Sequence, residues 1–418
     1  MSESNAGELV EHLFRTEYGK LASTLARSFG LDRLGVVEDI VQDTLLTALR
    51  QWSFRAVPTD PTAWLYRVAR NKALDHLRHE RVAAAFAGIV ASESQTIALE
   101  MPDMVIDSEI ADSQLRMIFA CCHPELPSES QIALTLKTLC GFSVQEIASA
   151  FLSNEATIEK RLQRSRKYFR EHHVKLEPPA GSALRARIAN VLASLYLLFN
   201  EGYKRSHSDG LVQRDLLLEA LRLALLVSNQ FGEEYREAYA LVSLMLFHVA
   251  RLDTRTGEHG EIVLLSDQDR SRWNRDLIQE AFQYSMRSEP DVVQTHYHLE
   301  AAIQAQHCLA PSFEETDWAV ILGLYKRLYV VKPSPIVLLH MSVSVSHVFG
   351  AEDALALLNN VPLGDYYLYH AMRGEYLLQL GRMAEAGAAL QRAIELSMNE
   401  KEKALLVGKL GTCIGEDS

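Results

Sequence analysis

The side chains with the clearest chemical use lie in residues 142–170, FSVQEIASAFLSNEATIEKRLQRSRKYFR. Lys160, Arg161, Arg164, Arg166, Lys167 and Arg170 crowd into a run, 160–170, that holds no acid. Ile158, Leu162, Ser165 and Phe169 recur at i, i+4, i+7 and i+11, one stripe of a 3.6-residue helix. Thr157, Lys160, Arg161, Arg164 and Lys167 or Tyr168 then face the other way. A helix apolar on one side and cationic on the other has the charge to sit among phosphates and the donors to read base edges. Ahead of it, Ser143 and Glu146 are spaced as a capping box that starts a shorter helix. Leu152, Ser153 and Asn154 form the turn, and Ser153 or Asn154 can cap the basic helix. Two helices so joined, the second basic, make a helix-turn-helix suited to the DNA major groove. A merely solvated cationic face would leave the capped partner helix unexplained.

A second cluster lies upstream. Asp60-Pro61 reads as a helix start, with Asp as cap and Pro in the first turn. In the following PTAWLYRVARNKALDHLRHER, Leu65, Val68, Ala69, Ala73 and Leu77 share one face. Trp64, Arg67, Asn71, Asp75 and Arg78 fall opposite. An exposed Trp among Arg and Asn is what stacking on an unpaired base requires, at ~1–3 kcal/mol per base. A Trp packed on its neighbouring loop, with solvated arginines, fits as well. In the preceding VVEDIVQDTLLTALR, Val37, Ile40, Val41, Leu45 and Ala48 form a core side. Asp39, Gln42, Asp43 and Leu46 form the outer side. A leucine within an acidic stripe suggests a protein-docking surface; the alternative is a solvated face with one stray leucine.

The elements that must hold these groups are helical throughout, because 3.6-residue periodicity recurs and strand-like alternation does not, so the fold class is all-α. Residues 8–81 read as one helical block, 82–107 as a tether, 108–175 as a second block. After the linker Glu177-Pro178-Pro179-Ala180-Gly181, residues 182–418 read as a long helical array. A length of 418 residues with 48% hydrophobic content suffices for two or three cores. The net charge of −12 excludes a protein that coats nucleic acid indiscriminately. The charge is uneven: 20 Lys and Arg face 23 Asp and Glu in residues 1–175, and 22 face 31 in the rest. Basic charge concentrates at 67–81 and 160–170, so local engagement of DNA on an acidic body is expected. Five cysteines without CxxC spacing fit a reducing compartment. No run of ~18 apolar residues is apparent and the N-terminus is polar, so a soluble, cytoplasmic chain is expected.

Within the array, HMSVSVSHVFGAEDALALL (340–358) and HAMRGEYLLQLGRMAEAGAAL (370–390) share a His, a hydrophobic helix, a Gly and an Ala-rich second helix. Gly350 and Gly381 are 31 residues apart, near the ~34 of tetratricopeptide repeats. Residues 335–400 therefore read as tetratricopeptide-like, with a generic bundle as the alternative.

EDIVQDTLLTAL, then PTAWLYRVARNKALDHLRHE, a tether and the helix-turn-helix closely resemble bacterial sigma factors of the extracytoplasmic-function (ECF) type over residues 8–172. LYLLFNEGYKRS, LLSDQDRSRWNRDLI and the terminal repeat resemble the subgroup with a tetratricopeptide-like C-terminal extension. The resemblance implies that Asp39, Gln42, Asp43 and Leu46 bind core RNA polymerase. It implies that Trp64, Arg67, Asn71, Lys72 and Arg78 engage and open the −10 element, and that the loop 52–59 holds a flipped base. Thr157, Lys160, Arg161 and Arg164 would read the −35 element, and residues 132–139 would help form a surface for the polymerase flap. The extension would regulate in cis, support the sigma blocks or bind a protein partner. Neither catalysis nor a cofactor is implied.

Three groups invite other chemistry. Cys121-Cys122-His123 lacks a second ligand pair for zinc and reads as buried thiols. Asn200, Glu201, Gly202 and Tyr203 with Asp267, Gln268, Asp269, Arg270, Arg272 and Trp273 could hold a ligand or form a buried polar network. His296 and His298 point apart on a helix. A competing function is a one-component helix-turn-helix regulator with a helical sensor, for which residues 37–78 would have no use.

Overall fold

A computed structural model of the chain describes residues 3–54, 57–86, 107–151, 153–178, 180–204, 210–257, 260–289 and 294–414. The described residues are all-α, with one isolated bridge between Thr256 and Ile262. The sequence expectations for 87–106, most of the tether, and for Leu152 lie outside the described residues. The chain divides into two compact units at 201/202, a division that falls after the proline linker.

The first unit holds α1 (Glu3–Phe29), α2 (Leu34–Phe54), α3 (Pro61–Phe86), α4 (Asp107–Cys121), α5 (Ser128–Leu139), α6 (Val144–Ala150), α7 (Glu155–Glu171) and most of α8 (Ser182–Lys204). Tyr18, Leu21 and Leu25 of α1 meet Val37, Val41 and Leu45 of α2 and Leu65, Ala69 and Ala73 of α3 in one core, which Ile110 of α4 also enters. Asp60 caps α3, its Oδ1 accepting the Ala63 N–H at 2.9 Å. α1 also packs against α4 and α5, so it serves both blocks.

α8 has polar positions that complete the second block. The Arg187 guanidinium donates to Phe119 O at 2.7 Å, and Asn190 Nδ2 donates to Cys122 O at 2.5 Å. Ser194 Oγ donates to Gln131 Oε1 at 2.6 Å. By length and composition alone, Ser182–Tyr203 is apolar enough to cross a membrane, a stretch the sequence reading passed over because its polar residues interrupt the run.

The second unit holds α9 (Gly210–Phe231), α10 (Glu237–Val249), α11 (Arg275–Arg287), α12 (His296–Leu309), α13 (Trp318–Val331), α14 (Pro335–Phe349), α15 (Ala351–Leu358), α16 (Tyr367–Gln379), α17 (Met383–Leu396) and α18 (Glu400–Ile414). α10 is buried from Ala238 to Phe247 and packs against α9, α11 and α12. The segment read as tetratricopeptide-like forms two helical hairpins, α14–α15 and α16–α17. Each turns at a glycine with positive φ, Gly350 at 105° and Gly381 at 70°, where a side chain would strain the backbone. The Ser342 hydroxyl and Tyr376 OH are 2.9 Å apart and tie the hairpins together.

Three buried or half-buried histidines of this unit are held below their ordinary pKa, which predicts acid sensitivity. Burial, reinforced by Arg251 and Arg270, lowers His307 to about 3. Burial, then Lys332 and His298, lowers His296 to about 4. Burial also holds His248 well below its ordinary value. Unfolding would release these rings to take up protons near their usual pKa of ~6.5. The stability they contribute is thus present above ~6.5 and is lost as pH falls toward the folded values. Calorimetry of the full chain should show a falling midpoint between pH ~6.5 and ~5, above the carboxylate range. His307→Gln should flatten that decline. A midpoint constant across this window would contradict it.

Candidate nucleic-acid and polymerase interface

The helix-turn-helix forms as its residue types dictate. Ser143 caps α6: the Glu146 N–H donates to Ser143 Oγ at 3.1 Å, and the Ser143 N–H donates to Glu146 Oε2 at 2.7 Å. Asn154 is the cap of α7, its Oδ1 accepting the Thr157 N–H at 2.8 Å. Ile158, Leu162, Ser165 and Phe169 are the buried stripe of α7. Lys160, Arg164, Lys167 and Arg170 are exposed, and Thr157 is half-buried. Tyr168 turns inward, 5.3 Å from the His123 ring and 4.3 Å from the His172 ring. Lys167 therefore takes the outward position.

Two cations of α7 are already engaged. Arg161 pairs with Glu129 at the start of α5, and Arg166 pairs with Glu38 of α2. Glu38 is buried, and Thr138 Oγ1 donates to its other oxygen at 3.4 Å. Burial raises the Glu38 carboxyl, while Arg166 and Lys137 pull it back down. Glu38 and Glu129 went unnoticed in the sequence because each sits among other acids or far from its partner.

On the first block, Asp39, Gln42, Asp43 and Leu46 are all exposed, Leu46 at 47%. They line a groove between α2 and α3 together with Lys72 and His76. Lys72 Nζ lies 3.4 Å from Asp43 Oδ2, so the polymerase and −10 residue sets implied by the resemblance meet in one ion pair. Arg67, Asn71 and Arg78 are exposed, Arg78 paired with Asp75 at 3.1 Å.

Trp64, left open in the sequence between an exposed stacking residue and one packed on neighbouring chain, is half-buried, its ring 5.2 Å from that of Trp52. The segment entering α3 carries Val57 onto the same core, so the first turn is covered on the side a single-helix projection leaves open. Residues 132–139, read as part of a flap surface, are buried except for half-buried Lys137. α5 is enclosed by α1, α4, α6 and α7 and holds Gln131 against α8.

The other candidate groups resolve into structure. Cys121 and Cys122 are buried, and burial raises both thiols, Cys122 to about 11. His298 Nδ1 accepts from the Thr295 N–H at 3.1 Å while Nε2 faces Ser288 O at 2.8 Å, so it caps α12. The 200/267 cluster divides. Asp267, Asp269 and Arg272 are exposed, whereas Arg270 and Trp273 are buried. The Arg270 guanidinium donates to His307 O and Ala310 O, both at 2.8 Å, and to Thr316 Oγ1 at 3.1 Å. Trp273 Nε1 donates to Thr254 Oγ1 at 3.1 Å, and Arg251 donates to Gln304 Oε1 at 2.6 Å. This network joins the 250–275 segment to α12 and to Thr316. Its members Arg251, Thr254 and Gln304 carried no signal in the sequence.

Residues 14–82 match the family model for Sigma-70 region 2, and residues 116–168 that for Sigma-70 region 4. Residues 187–289 match a family of unknown function, DUF6596. The chain is 37% identical over 378 residues to an uncharacterized protein of Rhizobium meliloti (strain 1021), covering 89% of each. It is 30% identical over 166 residues to the ECF RNA polymerase sigma factor SigL of Mycobacterium tuberculosis, 38% of this chain and 88% of that protein. It is 30% identical over 135 residues to the ECF RNA polymerase sigma-E factor of Haemophilus influenzae, 31% of this chain and 70% of that protein. No solved structure matches. With both sigma regions present in order around the capped basic helix, the chain belongs to the ECF family of RNA polymerase sigma factors.

Proposed function

We propose that the chain binds core RNA polymerase and directs it to promoters, as a cytoplasmic specificity subunit with no bond chemistry of its own. One observation carries this reading: regions 2 and 4 occur in order, and region 4 presents Lys160 and Arg164 on an exposed cationic face of α7. In it, α7 lies in the major groove of the −35 element. Phosphate contacts hold its register, while Thr157, Lys160, Arg161 and Arg164 read base edges. Asp39, Gln42, Asp43 and Leu46 dock on polymerase. Arg67, Asn71, Lys72 and Arg78 follow the −10 strand, and Trp64 stacks on an unpaired base with Trp52 as its backing. Unstacking costs a few kcal/mol per base, offset by that stacking. A one-component regulator is not favoured, because it leaves the match of residues 14–82 to region 2 unexplained.

The extension acts first as a support. α8 donates to the Phe119 and Cys122 carbonyls and to Gln131 Oε1 of region 4, and its loss would uncover that side of the block. Its tetratricopeptide-like hairpins offer a surface to a protein partner.

Trp64→Ala should abolish promoter opening, read by permanganate footprinting, while polymerase still co-purifies. Normal opening would reject its role. Arg164→Ala should weaken binding by ~1–3 kcal/mol at −35 sequences; an equal loss on every duplex would reduce it to a phosphate contact. Truncation before α8 should remove run-off transcription, whereas increased transcription would mean restraint rather than support.

A further inference from the structure

The second unit carries an aromatic surface that its polar network does not account for. It is built from the last residue of α12, the loop 310–317, the first turn of α13 and the last turn of α14. Trp318 stacks on His347, their rings 4.0 Å apart and 8° from parallel. Phe313 of the loop closes on both, 5.2 Å from Trp318 and 5.4 Å from His347. One side of this trio is tied to the core, because Trp318 packs on the cluster of Leu299, Ile303 and Ile321. The other side meets water. Phe313 and Trp318 are only half-buried and His347 is exposed. On the same elements Leu309, Val320 and Phe349 are 60%, 43% and 60% exposed. Apolar residues exposed singly need no explanation, but grouped on elements that share a fixed aromatic stack they mark a place where another molecule sits.

The charge around the stack has one sign. Glu314, Glu315 and Asp317 of the loop are exposed, as are Glu352 and Asp353 in the first turn of α15. Only Gly350 separates that helix from Phe349, so these two acids lie beside the apolar end of α14. No Lys or Arg occurs in 309–325 or in 333–372. Arg270 and Arg382 act on Glu314 and Glu352 from outside those stretches, and both are engaged. Arg270 is buried on its carbonyls, and Arg382 makes two bonds to Glu385.

This sign decides the occupant. Duplex DNA or an anionic membrane would be repelled. A second copy meeting the surface about a two-fold axis would set these acids against themselves. A cationic segment with aliphatic anchors satisfies both halves of the surface, and its guanidinium groups can lie over the ring faces as well.

We propose that this end of the unit docks a basic amphipathic segment of a partner protein, with aliphatic side chains on Leu309 and Phe349 and cations over the surrounding acids. The proposal rests on the reading that the hairpins receive a protein partner, and it is independent of promoter recognition.

The probe is a fluorescein-labelled peptide of about 14 residues, roughly four helical turns, with Leu on one face and Arg on the other. Two companion peptides carry Glu for every Arg, or Ser for every Leu. Against the full chain, anisotropy should show the Leu/Arg peptide binding about 10-fold tighter than either companion. Phe349→Ser, at a position turned to water, should weaken that binding about 10-fold. Glu352→Gln with Asp353→Asn should weaken it similarly. Glu234→Gln with Asp276→Asn removes the same charge from exposed positions elsewhere in the unit and should leave it unchanged. A benzophenone on the peptide should cross-link within residues 309–353. Equal losses from the two acid pairs would reduce the binding to attraction by the net charge of −12 and overturn the proposal. Unaltered binding by the Phe349→Ser chain, or no preference among the peptides, would overturn it too. Cross-links confined to α16 and α17 would leave a partner on the hairpins and defeat only this surface; none on either hairpin, with any of the peptides, would defeat both readings.

Discussion

Taking a carboxylate out of water is costly, by several kcal/mol, unless a cation and further donors meet it. Glu38 is such a carboxylate, 4% exposed, and its cation comes from Arg166, 128 residues along the chain. The arrangement of the first unit follows from satisfying it. α2 must lie where α7 can reach, so α5 brings Thr138 to the same oxygen pair and ends against α1. α1 in turn must present Gly19, because no side chain fits between its backbone and the Leu139 carbonyl. A helix that buries Tyr18, Leu21 and Leu25 in region 2 thereby becomes a wall of region 4 as well.

Where one helix face decides the outcome, the residues of this chain could be read directly. The stripe of α7, the capping box of α6 and the Asp60 cap depend on neighbours within four positions, and spacing alone specifies them. The glycine turns of the two C-terminal hairpins are equally local. Trp64 stayed open between two readings because a helical projection assumes one core on one side, and only the fold shows Trp52 of α2 beside it. Glu38 was invisible for a sharper reason. It sits one residue, about 100° of helix, from exposed Asp39, and no pattern distinguishes a buried acid from a solvated one without its distant partner. The 200/267 cluster fails similarly: the groups that close around Arg270 and Trp273 come from the end of α12, from Thr254 and from Thr316.

Burial of polar groups in the second unit is managed by neutral acceptors. Arg270 is held by two backbone carbonyls and a threonine hydroxyl, and Arg251 by Gln304. These bonds fix the C-terminal end of α12, where orphan carbonyls accumulate and a cation is favoured by the helix dipole. Burial first, then Arg251, lowers both His307 and His248, with Arg270 adding to the effect on His307 and Arg255 to that on His248. A dense polar cluster can therefore be wholly accounted for by the packing of irregular chain against helices.

The net charge of −12 says little about how strongly α7 meets DNA. At physiological ionic strength the Debye length is about 8 Å, so exposed acids farther away are largely screened. What tunes the cationic face is contact. Glu129 engages Arg161, Glu38 engages Arg166 and Glu171 lies 3.6 Å from Lys167, while Lys160 and Arg164 remain exposed. These three pairs differ in kind. Exposed pairs such as Lys167–Glu171 are worth about 0–1 kcal/mol and yield readily to a phosphate. The Glu38 pair is different, because breaking it would leave a buried carboxylate without its cation. The cationic face of α7 is in this way set partly by acids on α2 and α5, one of them buried.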